Sequence, residues 1–141
     1  MGNANRIFLA GEHTDDTRKN STDSVVLPGD LLEVKSDGTV KRQATAAADC
    51  VVLMAQENTV VNKGIDDTYA TGDQMSVVYP DNGSKVQVNL ASGGAAVVAG
   101  DGIESAGGGK CRKLASGTRL FVAETAGNPS AAEVRISATR K

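Results

Sequence analysis

The chain has 141 residues, a formal net charge of −2, 40% hydrophobic residues and only 3% aromatic ones. That length suits a single domain with a sizeable core. The near-neutral charge excludes a long-range field that would draw the chain to nucleic acid or an acidic membrane, and so few aromatics exclude a base-stacking platform.

The longest apolar runs, such as residues 50–55, are far too short to span a bilayer. The first six residues, MGNANR, lack the charged-then-apolar order of a signal peptide. Residues 1–24 are polar apart from Ile7, Phe8 and Leu9. They read as an extended N-terminal arm with one short sticky segment, lacking the apolar surface to fold alone. Such an arm is either a frayed terminus or a segment that orders against a partner, with Ile7, Phe8 and Leu9 adding a strand or filling a groove. Residues 25–141 read as one all-β domain.

Residues 25–27 lead to a turn at Pro28-Gly29-Asp30. The next stretch, 31–35, predicts a strand, Ser36-Asp37-Gly38 a hairpin turn, and 39–42 the returning strand. Residues 44–49 are a small-residue linker with room for one helical turn. The unbroken apolar run 50–55 predicts a central strand buried on both faces. Residues 57–71 form a polar excursion with a short strand at 59–62. The clearest pattern is 72–90, read as a β-hairpin. Met75, Val77 and Tyr79 alternate with Gln74 and Ser76, although Val78 interrupts the alternation. Pro80-Asp81-Asn82-Gly83 supplies turn chemistry, and Val86, Val88 and Leu90 alternate with polar residues on the way back.

Further on, 95–99 predicts a short strand. Ile103 and Glu104 begin a hairpin that turns at residues 105–109 and returns over 110–114. Strands at 118–124 and 133–137 close the chain, with Val134 and Ile136 inward. Three Gly-Asp pairs, at 29–30, 72–73 and 100–101, each precede a strand or hairpin. Glycine can take the required φ there and aspartate can bond neighbouring backbone N–H groups. No segment has a helical apolar period. The fold class is all-β: a small antiparallel β-barrel or β-tulip-like sandwich with an extended N-terminal arm.

Little in the chain points to chemistry. Cys50 and Cys111 form no CxxC and read as reduced, mostly buried thiols. With His13 as the one histidine, they do not make a metal site, and no cofactor is implied. His13 beside Glu12, Asp15 and Asp16 is a candidate metal or acid–base site only if the arm is held in place. Gly107-Gly108-Gly109-Lys110 lacks the spaced glycines, Ser/Thr and following helix of a phosphate loop. Lys35 and Lys85 flank turns but lack the neighbours of a lipoyl or biotinyl carrier lysine. Residues 63–73, KGIDDTYATGD, resemble the nucleoside-binding motif of trimeric dUTPases. That resemblance implies a water-activating role for Asp66 and a ribose-stacking role for Tyr69. The other dUTPase motifs are absent, and a polar loop anchored by Tyr69 accounts for the segment.

The order of elements from 25 to 138 resembles the small decoration (capsid cement) proteins of tailed bacteriophages. The matching features are the polar arm, the Pro28-Gly29-Asp30 entry, the hairpin over 31–42 and the Ala-rich connector before Cys50-Val51-Val52-Leu53. TGDQMSVVY, AGDGIES and the late strand over 117–124 follow in the same order. The resemblance implies no enzymatic activity. It implies a homotrimer on the outer capsid surface of the virion, made in the bacterial host cytoplasm and bound to the major capsid protein. Neither nucleic acid nor membrane is then a partner. Arg6, Ile7, Phe8 and Leu9 are the expected capsid-contacting arm residues. The alternatives are a dUTPase-like nucleotide hydrolase and a head-fibre or receptor-binding β module.

Overall fold

The computed structural model describes residues 6–21 and 25–141; positions 1–5 and 22–24 of the expected arm lie outside the described residues. Eleven strands are assigned among the described residues. They are β1 (Phe8–Ala10), β2 (His13–Lys19), β3 (Leu32–Val34), β4 (Val40–Arg42), β5 (Met54–Gln56), β6 (Gln74–Pro80), β7 (Lys85–Leu90), β8 (Gly102–Gly107), β9 (Lys110–Lys113), β10 (Phe121–Ala123) and β11 (Val134–Arg140). They form a six-stranded sheet in the order β1-β7-β11-β10-β8-β9, a three-stranded sheet β2-β6-β5, and the β3–β4 hairpin. One parallel bridge, Leu90 to Cys111, draws β9 back towards β7. The architecture is all-β and sandwich-like, not a closed barrel.

Two cores fill the space between these layers. The larger contains Met54 and Val78 with Val86, Val88, Leu90, Ile103, Phe121 and Ile136, so it lies between the three-stranded and six-stranded sheets. The smaller joins Leu53, Ala55, Met75 and Val77 to Leu32, Val40, Val26 and Tyr69, on the other face of the three-stranded sheet. That sheet is the middle layer. Of the run 50–55, residues 52–55 are buried on both faces as expected, since Val52 and Met54 enter one core and Leu53 and Ala55 the other, but Cys50 is half-buried and Val51 is exposed. The ladder there covers only β5, which runs between β6 and the stretch 29–32.

The expected hairpin over 72–90 is corrected. Both strands form, but β6 pairs with β2 and β5, whereas β7 pairs chiefly with β1 and β11. Residues 81–84 carry the chain from one sheet to the other. A second crossing runs beside it: β1 pairs with β7, β2 pairs with β6, and the N–H of Asp81 and the hydroxyl of Ser84 donate to the Glu12 carbonyl at 3.0 and 2.7 Å. Segments 8–19 and 74–86 thus form a two-stranded ribbon folded across both sheets. A period of two fixes which side chains share a face. It does not say whether two strands lie side by side or face to face across a core.

Other differences are local. Thr59–Val61 is a 3-10 turn in place of a strand, with Asn62 left-handed at φ 60°. The linker 44–49 contains a turn with Ala47 at φ 61° and no helix. The stretch 95–99 contributes one bridge, Val97 to Gly127. The hairpins β3–β4 and β8–β9 form as read.

The three Gly-Asp entries are one device. Asp30, Asp73 and Asp101 each accept the N–H of the residue three positions back (Leu27, Ala70, Val98) at 2.8–3.0 Å, and each returns its own N–H to that residue's carbonyl. The intervening Gly29 has φ +97°, and a Cβ there would meet the Asn89 amide at 2.9 Å, so the position requires glycine twice over.

Candidate functional site

The N-terminal segment holds the residues expected to make contacts. Ile7 is fully buried in the larger core. Its N–H donates to Glu57 Oε1 at 2.7 Å and its carbonyl accepts the Gln87 N–H at 2.8 Å. Arg6 is exposed, with its carbonyl held by the Gln87 side-chain amide. Phe8 and Leu9 are half-buried. Of the four residues, Ile7 serves the core, and Arg6, Phe8 and Leu9 retain accessible surface. The Phe8 ring lies 3.9 Å, centroid to centroid, from the ring of His13, and His13 Nε2 is 3.2 Å from Asp15 Oδ1.

Strand β2 presents a charged surface, HTDDTRK, at the free edge of its sheet. The edge is blunted. Asp16 Oδ1 captures the N–H of Thr17 at 2.8 Å, and Asp16 Oδ2 binds Arg18 Nε at 2.9 Å. A captured N–H and exposed charges discourage strand addition by another chain.

The dUTPase-like segment does not assemble a site. Tyr69 is fully buried in the smaller core and its hydroxyl donates to the Gln56 carbonyl at 2.6 Å. Burial raises the phenol to about 12. The ring therefore has no face open for stacking on a sugar. Asp66 is 83% exposed and its carboxylate receives Arg135 Nη1 at 2.9 Å. The Gly107–Gly109 run is the β8–β9 turn, and Lys110 is tied into a buried ion pair.

Two buried polar centres were not foreseen. In the first, the Asp30 carboxylate, 1% exposed, receives Lys110 Nζ at 2.6 Å, the Asn89 amide at 3.0 Å and the Leu27 N–H at 3.0 Å. Arg135 extends it by donating to Asn89 Oδ1 and to the carbonyls of Pro28 and Ile65. In the second, Glu104, 0% exposed, accepts the N–H groups of Ala115, Ser116 and Gly117 at 2.8–3.2 Å and is clamped by Arg112. Burial alone would raise its pKa. The backbone donors and the guanidinium overcome that and bring it down to about 2. Both centres staple loops to strands. Asn89 and Glu104 sit in strand patterns where polar residues ordinarily face water, so the pattern concealed them.

An apolar groove opens on the surface of the described residues. It has a volume of about 400 Å3 and is lined by Leu32, Glu33, Val34, Cys50, Val51, Leu53 and Tyr79. At its edge the Leu53 carbonyl accepts the Leu32 N–H, and residues 50–52 belong to no strand. Burial, then the nearby Asp49 carboxylate, raises the Cys50 thiol above its ordinary value, while Cys111 lies deep in the core.

No protein family and no curated protein sequence matches the chain. Its fold is similar to that of the N base of the head fiber protein gp8.5 of bacteriophage phi29, with a TM-score of 0.61 at 14% identity over 92% of this chain and 95% of that one.

Proposed function

We propose that the chain is a structural protein of a phage head, seated on the outside of the assembled capsid and stabilising it as a decoration protein. The observation that carries this reading is the shared fold with the phi29 head fiber base across nearly the whole of both chains. It is supported by the use of the chemistry-bearing residues. Asp30, Lys110, Glu104, Arg112 and Tyr69 are committed to holding loops and cores together. A protein that binds only the assembled shell stabilises it by mass action, and many copies on one lattice add avidity. In this reading the partner is the major capsid protein, the assembly is a homotrimer, and Arg6, Phe8 and Leu9 supply part of the contact.

The test is co-sedimentation of the full chain with capsids lacking decoration, followed by imaging of the added density and heating of the loaded shells. Shell binding with a raised shell-disruption temperature is expected. Absence of binding at saturating protein overturns the reading. Arg6→Glu, Phe8→Ala and Leu9→Ser probe the N-terminal contact without removing Ile7 from the core.

A second reading is favoured by what the similar structure is, the base of a head fiber. The chain would then seat a fibre or bind a host surface. Binding to cells or glycans without binding to capsids distinguishes it.

A further inference from the structure

Two side chains from neighbouring strands meet on one buried oxygen. Leu90 of β7 and Cys111 of β9 form the parallel bridge, and both enter the larger core. The residues just before them, Asn89 and Lys110, therefore stand side by side on the other face. Asp30 Oδ1 accepts Lys110 Nζ at 2.6 Å and Asn89 Nδ2 at 3.0 Å. Asn89 Oδ1 in turn accepts Arg135 Nε at 3.1 Å. Water is largely shut out: Asp30 is 1% exposed and Asn89 3%, and the side chains of Lys110 and Arg135 are 13% and 10% exposed.

Anchoring a loop needs only the ion pair of Lys110 and Asp30. This centre holds more than that. A primary amine lies beside a side-chain amide whose oxygen faces a guanidinium and whose nitrogen faces a carboxylate. Those are the parts of an amide exchange: a nucleophile, a polarised carbonyl, and one acid–base group in contact with both the attacking and the leaving nitrogen.

We propose that Lys110 and Asn89 join covalently, in an isopeptide bond that cross-links β9 to β7 within the folded chain. Asp30 takes a proton from the Lys110 ammonium across their short contact, which frees the electron pair on Nζ. That pair attacks Asn89 Cγ, and the negative charge that collects on Oδ1 faces Arg135. Asp30 passes its proton to Nδ2 and takes the surplus proton from Nζ. The Cγ–Nδ2 bond breaks, and the departing ammonia carries that last proton away as ammonium. One carbon–nitrogen bond replaces another, nothing is oxidised or reduced, and Asp30 ends as the carboxylate it began as. The fold supplies the proximity, and exclusion of water protects the amide from hydrolysis. Glu133 also lies 3.3 Å from Nζ, but it is 47% exposed and takes no part in these steps. A chain that carries the bond but ignores capsids fails only the proposed function.

The experiment is an intact-mass measurement on the full wild-type chain, folded, incubated at neutral pH and then denatured. The mass is expected to be short by one ammonia. Trypsin is expected to pass over Lys110 and release residues 86–112 as one looped peptide. Lys110→Arg keeps the cation without the primary amine, and Asp30→Asn removes the proton carrier; both are expected to retain the ammonia. The wild-type mass decides the matter even where a variant fails to fold. A wild type that keeps its ammonia, or loses it only at another residue, overturns the proposal. Loss of water in its place would put the bond on Asp30 and overturn the role of Asn89. A cross-link that persists in Asp30→Asn overturns the proton route.

Discussion

Val77 and Val78 are neighbours in β6, both are fully buried, and they belong to different cores. Successive side chains of a strand point to opposite faces, so β6 has apolar packing above and below it. The three-stranded sheet is the middle layer of the molecule because of that pair. β7 solves its second face differently. Gln87 and Asn89 are buried, but they bind the Arg6 and Pro28 carbonyls of the chain that crosses over them.

Threonine at either position tests the double burial. Val77→Thr and Val78→Thr keep the shape and add a hydroxyl inside an apolar cluster, at a cost of about 1–3 kcal/mol each. In a strand with one wet face, one of two consecutive substitutions would be almost silent. Urea denaturation of both variants is expected to show comparable losses, and a neutral result at Val78 contradicts the two-core arrangement.

Ile7 separates a docked N-terminal segment from a dispensable one. Its side chain is fully buried among core residues of the six-stranded sheet. Ile7→Ala is expected to destabilise the chain by about 2–5 kcal/mol, the range for emptying a buried aliphatic site. Leu9→Ala, at a half-buried position, is expected to cost much less. Equal denaturation midpoints for Ile7→Ala and wild type would mean that the segment is not part of the core.

The apolar pattern made much of this fold legible, and the limits of that pattern account for the rest. The Gly-Asp turns were readable because the conformational demand and the capping carboxylate both lie within four residues. The double burial of 52–55 was readable from an unbroken apolar run, but the exposure of Val51 within that run was not. Val78 carried the same message about β6 as a single break in alternation, too little to outweigh a strong turn signal at 80–83. Strand partners were not readable. Whether β7 lies beside β6 or across a core from it depends on residues 8–19 and 134–140, which supply the actual neighbours. At the candidate contacts, three apolar residues in a row marked a sticky segment, but which of them points inward depended on the pairing of β1 with β7.

Glu104 makes stability depend on acid in a defined direction. Its carboxyl lies at about 2 in the folded chain against an ordinary 4.5. A group with a depressed folded pKa contributes fully above its unfolded value and loses that contribution as pH falls towards the folded one. Wild type is therefore expected to lose stability between about pH 4.5 and pH 2. Glu104→Gln, which lacks the charge for Arg112 and the three backbone N–H groups, should be weaker by about 2–4 kcal/mol at neutral pH. The gap between the two proteins should narrow on acidification. A gap constant with pH would show that the carboxylate's charge is irrelevant.

Tyr69 responds at the other end of the scale. Burial sets its phenol at about 12 rather than 10. Its folded pKa is raised, so its contribution is intact below pH 10 and is lost as pH rises through 12. Spectrophotometric titration is expected to show its phenolate appearing near 12 or together with alkaline unfolding. Tyr69→Phe leaves the Gln56 carbonyl without its 2.6 Å donor and is expected to cost about 1–3 kcal/mol. Deoxynucleotide turnover abolished by Asp66→Asn would contradict the assignment of this segment to structure.

Lys110 holds two carboxylates, and burial decides which one matters. Asp30 is 1% exposed and 2.6 Å away; Glu133 is 47% exposed and 3.3 Å away. Lys110→Met would leave the Asp30 charge inside the fold with only the Asn89 amide and the Leu27 N–H, and removing one partner of a buried pair costs about 3–5 kcal/mol. Glu133→Gln removes an exposed partner and is expected to change stability by less than about 1 kcal/mol. Asp30 also closes the turn that carries Gly29 against Asn89, so the damage from Lys110→Met should extend to the 27–30 turn. Amide hydrogen exchange at Leu27 reads that directly: it should accelerate in Lys110→Met and stay unchanged in Glu133→Gln. Equal acceleration in both would mean that the ammonium acts on this turn through its exposed neighbour, and the buried pair would lose its place as the anchor of that loop.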